Sequence, residues 1–145
     1  MRSLRAPHGV AAAAAMALVA ACHPNLVAES APPPGRTARL DEVTGFWGVQ
    51  RYRLELSRGV ALVVSCTYRG PCEKLVATSD DHAIAEVRAA SQAMLRPAGF
   101  NQQPAAAVVI VGKAPGTTTI RLRSTDGGRD VRVTVVPPPA ATAAR

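Results

Sequence analysis

The chain has 145 residues, 48% of them hydrophobic but only 3% aromatic, and its 17 basic and 10 acidic residues give a formal net charge of +7. That length holds one domain once its ends are set aside. Lys74 and Lys113 are the only lysines and the aromatics are scattered, so the basic excess lacks the clustered charge and stacking rings of a nucleic-acid binder.

Residues 1–21 read as a cleaved leader. Arg2 and Arg5 precede an Ala-rich apolar run from Val10 to Ala21, which ends in Leu18-Val19-Ala20-Ala21-Cys22. A basic start, an apolar run and small residues before a cut are the marks of secretion. The run of 12 residues is too short for a membrane span, which needs about 20. With Cys22 directly after the small pair, the segment resembles a bacterial lipoprotein signal. The resemblance implies cleavage before Cys22 and acylation of its thiol. It also implies a stable hold on a membrane, since two acyl chains anchor where one binds marginally. Ordinary soluble secretion leaves Cys22 as an odd thiol beside Cys66 and Cys72. His23, rather than Asp, follows the cysteine, which in that family's sorting pattern points to the outer membrane. Loss of residues 1–21 leaves 124 residues, and loss of Arg2 and Arg5 leaves 15 basic against 10 acidic, a charge of +5.

Residues 22–40, with Pro32-Pro33-Pro34-Gly35, read as a lipidated N-terminus and Pro-rich linker tethering a body to the membrane. Residues 137–145, beginning Pro137-Pro138-Pro139, read as a Pro/Ala-rich tail. The body between them, residues 41–136, is dominated by period-two patterning. Strands are predicted over 51–56, 60–65, 74–78, 83–89, 106–111, 117–124 and 129–136. Turn residues such as Gly70-Pro71, Ser79-Asp80-Asp81, Pro115-Gly116 and Asp126-Gly127-Gly128 separate them. Ala85 to Met94 competes as a short helix, without a convincing cap and soon broken by Pro97 and Gly99. About seven short strands at this spacing imply an all-β chain, a single immunoglobulin-like β-sandwich.

The last two strands carry a test of register. With Gly127-Gly128 as a two-residue loop, Asp126 faces Arg129, Leu122 pairs with Val133 and Ile120 with Val135. The same register sets Arg123 opposite Arg132, with Arg121 on the same outward face. Like charges across a ladder are mildly destabilising. These three arginines are therefore either simply solvated or a stripe for an anionic partner, an acidic polysaccharide or a lipid head group.

Several stretches together resemble bacterial Ig-like domains of group 2. They are Lys74-Leu75-Val76-Ala77-Thr78-Ser79-Asp80, then Ile84-Ala85-Glu86-Val87, then Val111-Gly112-Lys113-Ala114-Pro115-Gly116-Thr117-Thr118-Thr119-Ile120, and the closing Val131-Arg132-Val133-Thr134-Val135. The likeness spans about Leu54 to Val136 and implies a fold but no activity. Ser91 to Gln103 departs from it as an insertion, and the cysteine loop Cys66-Thr67-Tyr68-Arg69-Gly70-Pro71-Cys72 departs as an addition. Cys66 and Cys72, six apart around Gly70-Pro71, suit a structural disulfide in an oxidising compartment better than a Cys-x-x-Cys redox pair. Tyr68 and Arg69 at the loop tip are candidate recognition residues.

Catalytic machinery has little to stand on. After cleavage the histidines are His23 and His82, and no nucleophile, base and orienter come together in the sequence. Asp80-Asp81-His82 reads as a solvated turn rather than a metal site, since closed sites need three or four ligands. Gly112-Lys113-Ala114-Pro115-Gly116-Thr117 has its Lys misplaced for a phosphate loop and no helix after it. Val43-Thr44-Gly45-Phe46-Trp47 resembles the Thr-Gly-aromatic loop of chagasin-like peptidase inhibitors, but that family's Asn-Pro start and Arg-Pro-Trp are missing. The sequence thus leads to a non-enzymatic, membrane-anchored envelope lipoprotein without a cofactor. Its sandwich would serve as a binding or structural module for an envelope protein or a cell-wall polymer. Binding of anionic envelope polymer by the basic face is the alternative, and peptidase inhibition a lesser one.

Overall fold

Alternating apolar and polar residues bury every second side chain of a strand, and such strands are stable only when their apolar faces meet. The computed structural model, described over residues 23–45, 50–91 and 106–138, meets this demand with two stacked sheets. The strands are β1 (Asn25–Ala28), β2 (Ala38–Thr44), β3 (Gln50–Ser57), β4 (Ala61–Thr67), β5 (Val76–Ser79), β6 (Ala85–Ser91), β7 (Ala106–Gly112), β8 (Gly116–Ser124) and β9 (Gly127–Val136). One sheet has the order β1-β4-β7-β6 and the other β2-β3-β9-β8-β5. Neighbouring strands are antiparallel except β3 and β9, which run parallel. The chain is therefore an all-β, immunoglobulin-like sandwich.

The core lies between the sheets. Leu26, Leu62, Val64, Val108 and Ile110 face inward from the four-stranded sheet, and Leu54, Leu56, Ile120, Leu122, Val131 and Val133 face them from the five-stranded sheet. Each such side chain contributes about 1.5–3 kcal/mol by leaving water. Two glycines are required by geometry. Gly59 (φ 79°) occupies the third position of the Ser57–Val60 turn, where Val60 N–H donates to Ser57 O at 3.0 Å, and a left-handed third residue favours glycine. At Gly112 a Cβ would lie 3.1 Å from Val135 Cγ1 and 3.2 Å from Ser57 O, so the two sheets close here over bare backbone.

All seven predicted strands are present, and the described part of the competing helix is the strand β6. Two strands were not predicted. β1 lies within the expected linker 22–40 and β2 begins inside it, so the described body starts before residue 41. β1 adds to β4 and β2 to β3, each forming one edge of its sheet. In the crossing between them the triple proline ends in a turn, with Arg36 N–H donating to Pro33 O at 3.1 Å. Leu26 alone, and Ala38 with Leu40 between Thr37, Arg39 and Asp41, are enough to seat two edge strands on an existing core.

The β8–β9 register also differs from the prediction. The loop is Thr125-Asp126, with Ser124 opposite Gly127, Leu122 opposite Arg129, Ile120 opposite Val131 and Thr118 opposite Val133. Arg123 therefore faces Gly128, and Arg132 faces Thr119. Side chains decide the turn: Ser124 Oγ accepts from Asp126 N–H at 3.2 Å and donates to Gly127 O at 3.1 Å. Asp126 Oδ2 in turn accepts from Glu73 N–H at 3.1 Å. The two registers differ by four residues, an even number, so both leave the same side chains facing the core and alternation could not separate them. The predicted insertion falls almost wholly on residues 92–105, outside the described residues. Of the predicted tail, Pro137 and Pro138 follow β9 outside any strand, and the rest lies outside the described residues.

Candidate functional site

The outward positions of the five-stranded sheet carry its charge. Alternation in β3 turns Arg51 and Arg53 away from the core, while β9 presents Asp130 and Arg132 and β8 presents Thr119, Arg121 and Arg123. The parallel β3–β9 register sets Arg53 directly beside Arg132, whose other neighbour is Thr119. Around them lies an open depression of about 660 Å³, lined among others by His23, Arg51, Arg53, Arg132 and Thr119. Its lining holds five arginines and one aspartate, a formal charge of +4 with His23 neutral.

The arginines differ in what they touch. Arg121 forms a two-pronged pair with Asp80, with Nε to Oδ1 and Nη2 to Oδ2 both at 2.9 Å. That hydrogen bond holds the Asp80 carboxyl below its ordinary 3.8, and the same contact raises the Arg121 guanidinium. Arg123 lies 2.8 Å from Asp130 and also donates to Leu122 O and Arg129 O. Arg51, Arg53 and Arg132 have no hydrogen-bonding or ion-pair partner among the described residues. Asp41 stands opposite Arg53 in the β2–β3 register, but its carboxylate takes Arg39 Nε at 2.8 Å.

Arg129 is the sixth arginine of this region and serves a different end. It lines the depression but is buried, at 7% exposure. Its Nε donates to Pro24 O at 2.8 Å, and its Nη1 and Nη2 donate to Gln50 O and Oε1 at 3.3 and 3.1 Å. The guanidinium lies 5.7 Å from the Tyr52 ring centre, and the Tyr52 hydroxyl accepts Leu26 N–H at 3.2 Å. Pro24 is itself fully buried. The chain is thus fastened to the body at Pro24, and exposed His23 joins the rim of the depression.

The predicted stripe of Arg121, Arg123 and Arg132 is therefore broken up. Two of its members are ion-paired, and the third stands with Arg51 and Arg53 of the predicted strand 51–56. Only the long-range β3–β9 pairing brings these together, and no local pattern announces it. Cys66 and Cys72 form the disulfide, Cα–Cα 5.4 Å. Inside it Thr67 bridges Pro71, Tyr68 N–H donates to Gly70 O at 2.7 Å, and Arg69 takes a left-handed φ of 53° with its guanidinium 5.8 Å from the Tyr68 ring centre. This tip is a tight hairpin, and neither Tyr68 nor Arg69 lines the arginine depression.

The remaining motifs resolve into turns. Asp80 is held by Arg121, and Asp81 Oδ1 accepts Ala83 N–H at 2.8 Å, closing the turn before β6. Among the described residues, no group of three His, Cys, Asp or Glu side chains is placed to hold a metal ion. The Gly112-to-Thr117 segment joins β7 to β8, with Lys113 and Ala114 N–H both donating to Ile84 O. Lys113 Nζ lies 3.6 Å from Glu86, whose carboxyl is lowered chiefly by the hydrogen bond from Arg88. Val43 and Thr44 end β2, while Phe46, Trp47 and Cys22 lie outside the described residues.

No family model matches the sequence, and no curated protein does. Among solved structures, the chain is similar to domains 4 and 5 of the S-layer protein SbsC at a TM-score of 0.41 and 21% identity, over 77% of this chain and 54% of that one. It is similar to a longer piece of that protein, rSbsC(31-844), at a TM-score of 0.40 and 21% identity, over 77% of this chain and 13% of that one. The chain spans about half the length of the first and a small fraction of the second.

Proposed function

We propose that the chain is a lipoprotein of the cell envelope, held on a membrane through Cys22, whose sandwich is a non-catalytic binding and structural module. The observation that carries this reading is the position of Cys22 in the sequence: it directly follows a secretion-type leader and lies two positions before Pro24, which is buried against the body. The Cys66–Cys72 bridge suits an oxidising compartment outside the cytoplasm. The polar side chains that suggested chemistry, Asp80 and Asp81, are engaged in holding turns. The partner expected is an envelope protein or polymer, met through exposed loops or sheet edges.

Intact-mass analysis of the membrane fraction tests the anchor. The expected mass is that of a chain beginning at Cys22 plus its acyl groups, and Cys22→Ser removes both the adduct and the membrane retention. A soluble, unacylated chain contradicts the reading.

A further inference from the structure

We propose that the arginine depression is a docking surface for anionic phospholipid head groups of the membrane that holds the protein, so that the sandwich lies flush on the bilayer with Arg51, Arg53 and Arg132 against lipid phosphates. The inference rests on the anchoring reading above and specifies which face meets the membrane.

Its first ground is the length of the leash. Pro24 is fully buried and tied to Arg129, so one residue, His23, separates the body from Cys22, a reach of at most about 7 Å. The field of an anionic leaflet decays over a Debye length of about 8–10 Å. A body held this closely cannot leave that field. Had residues 22–40 been a free linker, the body could have ranged far beyond it.

The second ground is which face the leash selects. His23, the residue joined to Cys22, lines the same depression as Arg51, Arg53 and Arg132. The anchor therefore emerges beside the free guanidinium groups. The third ground is charge. Arg53 and Arg132 are direct neighbours in the ladder; the nearby carboxylates Asp41 and Asp130 already pair with Arg39 and Arg123, and Glu55, outward on the same strand two residues on, forms no ion pair with either. Two adjacent guanidiniums without a carboxylate repel each other mildly in the free protein. A phosphate relieves that repulsion and matches the planar donor fork of arginine.

The test uses the processed, acylated protein in nanodiscs of phosphatidylcholine alone or with half phosphatidylglycerol, and reads the rate of arginine modification by a dicarbonyl reagent, site by site, by mass spectrometry. The anionic discs should slow labelling of Arg51, Arg53 and Arg132 by about fivefold each, with Arg88, exposed on the other sheet, unchanged. Added salt should remove the protection. In Arg53→Gln/Arg132→Gln, protection of Arg51 should fall to the phosphatidylcholine level. Equal labelling in both discs overturns the proposal. Protection by soluble polyphosphate without protection by anionic discs overturns it too, and assigns the depression to a soluble polymer. Intact mass reports acylation separately. Should the chain prove unacylated, the anchoring reading fails, and co-sedimentation of that same chain with the two lipid mixtures decides whether the surface still selects anionic head groups.

Discussion

The outward face of the five-stranded sheet holds two arginine regions that the same strands build and that differ in carboxylate supply. Toward the β5 edge, Arg121 and Arg123 are each held by an aspartate, Asp80 and Asp130. Toward the centre, Arg51, Arg53 and Arg132 have no such partner among the described residues. The difference shows that a count of arginines on a strand says little about the charge a surface offers. What matters is which guanidiniums the fold has already paired, and that depends on turns and neighbouring strands far away in sequence. Buried Arg129 acts as a structural clamp on the N-terminal segment.

The largest effect is expected at that clamp. Arg129→Ala leaves the Pro24 carbonyl unpaired in a buried setting, and urea denaturation should report a loss of about 3 kcal/mol, together with release of β1. Cys66→Ser/Cys72→Ser, which leaves both arginine regions intact, should lower stability by about 2 kcal/mol. Arg53→Gln should do the reverse on a smaller scale, raising stability by about 0.2–0.5 kcal/mol as a like-charge contact disappears. If Arg53→Gln destabilises the fold as Arg129→Ala does, the division between clamping and free arginines collapses.

Arg121→Ala should have the smallest effect, and one that depends on pH. The folded pKa of Asp80 lies below its ordinary 3.8 because of the Arg121 hydrogen bond. Its stabilisation is therefore present above the ordinary carboxylate range and is lost as pH falls through the depressed value. The melting temperatures of wild type and Arg121→Ala should differ slightly at neutral pH and converge in strong acid. A difference that persists there would mean that the pair is not what Arg121 contributes.

The seven strands of the body were legible because their inward residues alternate plainly, as in Leu54 and Leu56 or Val131, Val133 and Val135. β1 and β2 were hidden for a physical reason: an edge strand needs few apolar residues once a core exists, and Leu26 stands nearly alone beside a triple proline. The β8–β9 register was hidden because an even offset keeps every core side chain in place, and the choice falls to Ser124 and Asp126 in the turn. The disulfide was readable from two cysteines around Gly70-Pro71. The free arginines were not, since nothing near Arg53 in sequence shows that Arg132 lies beside it or that Asp41 is taken by Arg39.

Hydrogen exchange of the β1 amides, Asn25–Ala28, tests the central claim most directly, namely that the chain beside Cys22 is part of the folded body. The account predicts that the Leu26 amide, bonded to the Tyr52 hydroxyl, and the β1 amides paired with β4 exchange slowly, and that Arg129→Ala releases them. Exchange as fast as in an unstructured peptide would restore a free tether and contradict the account.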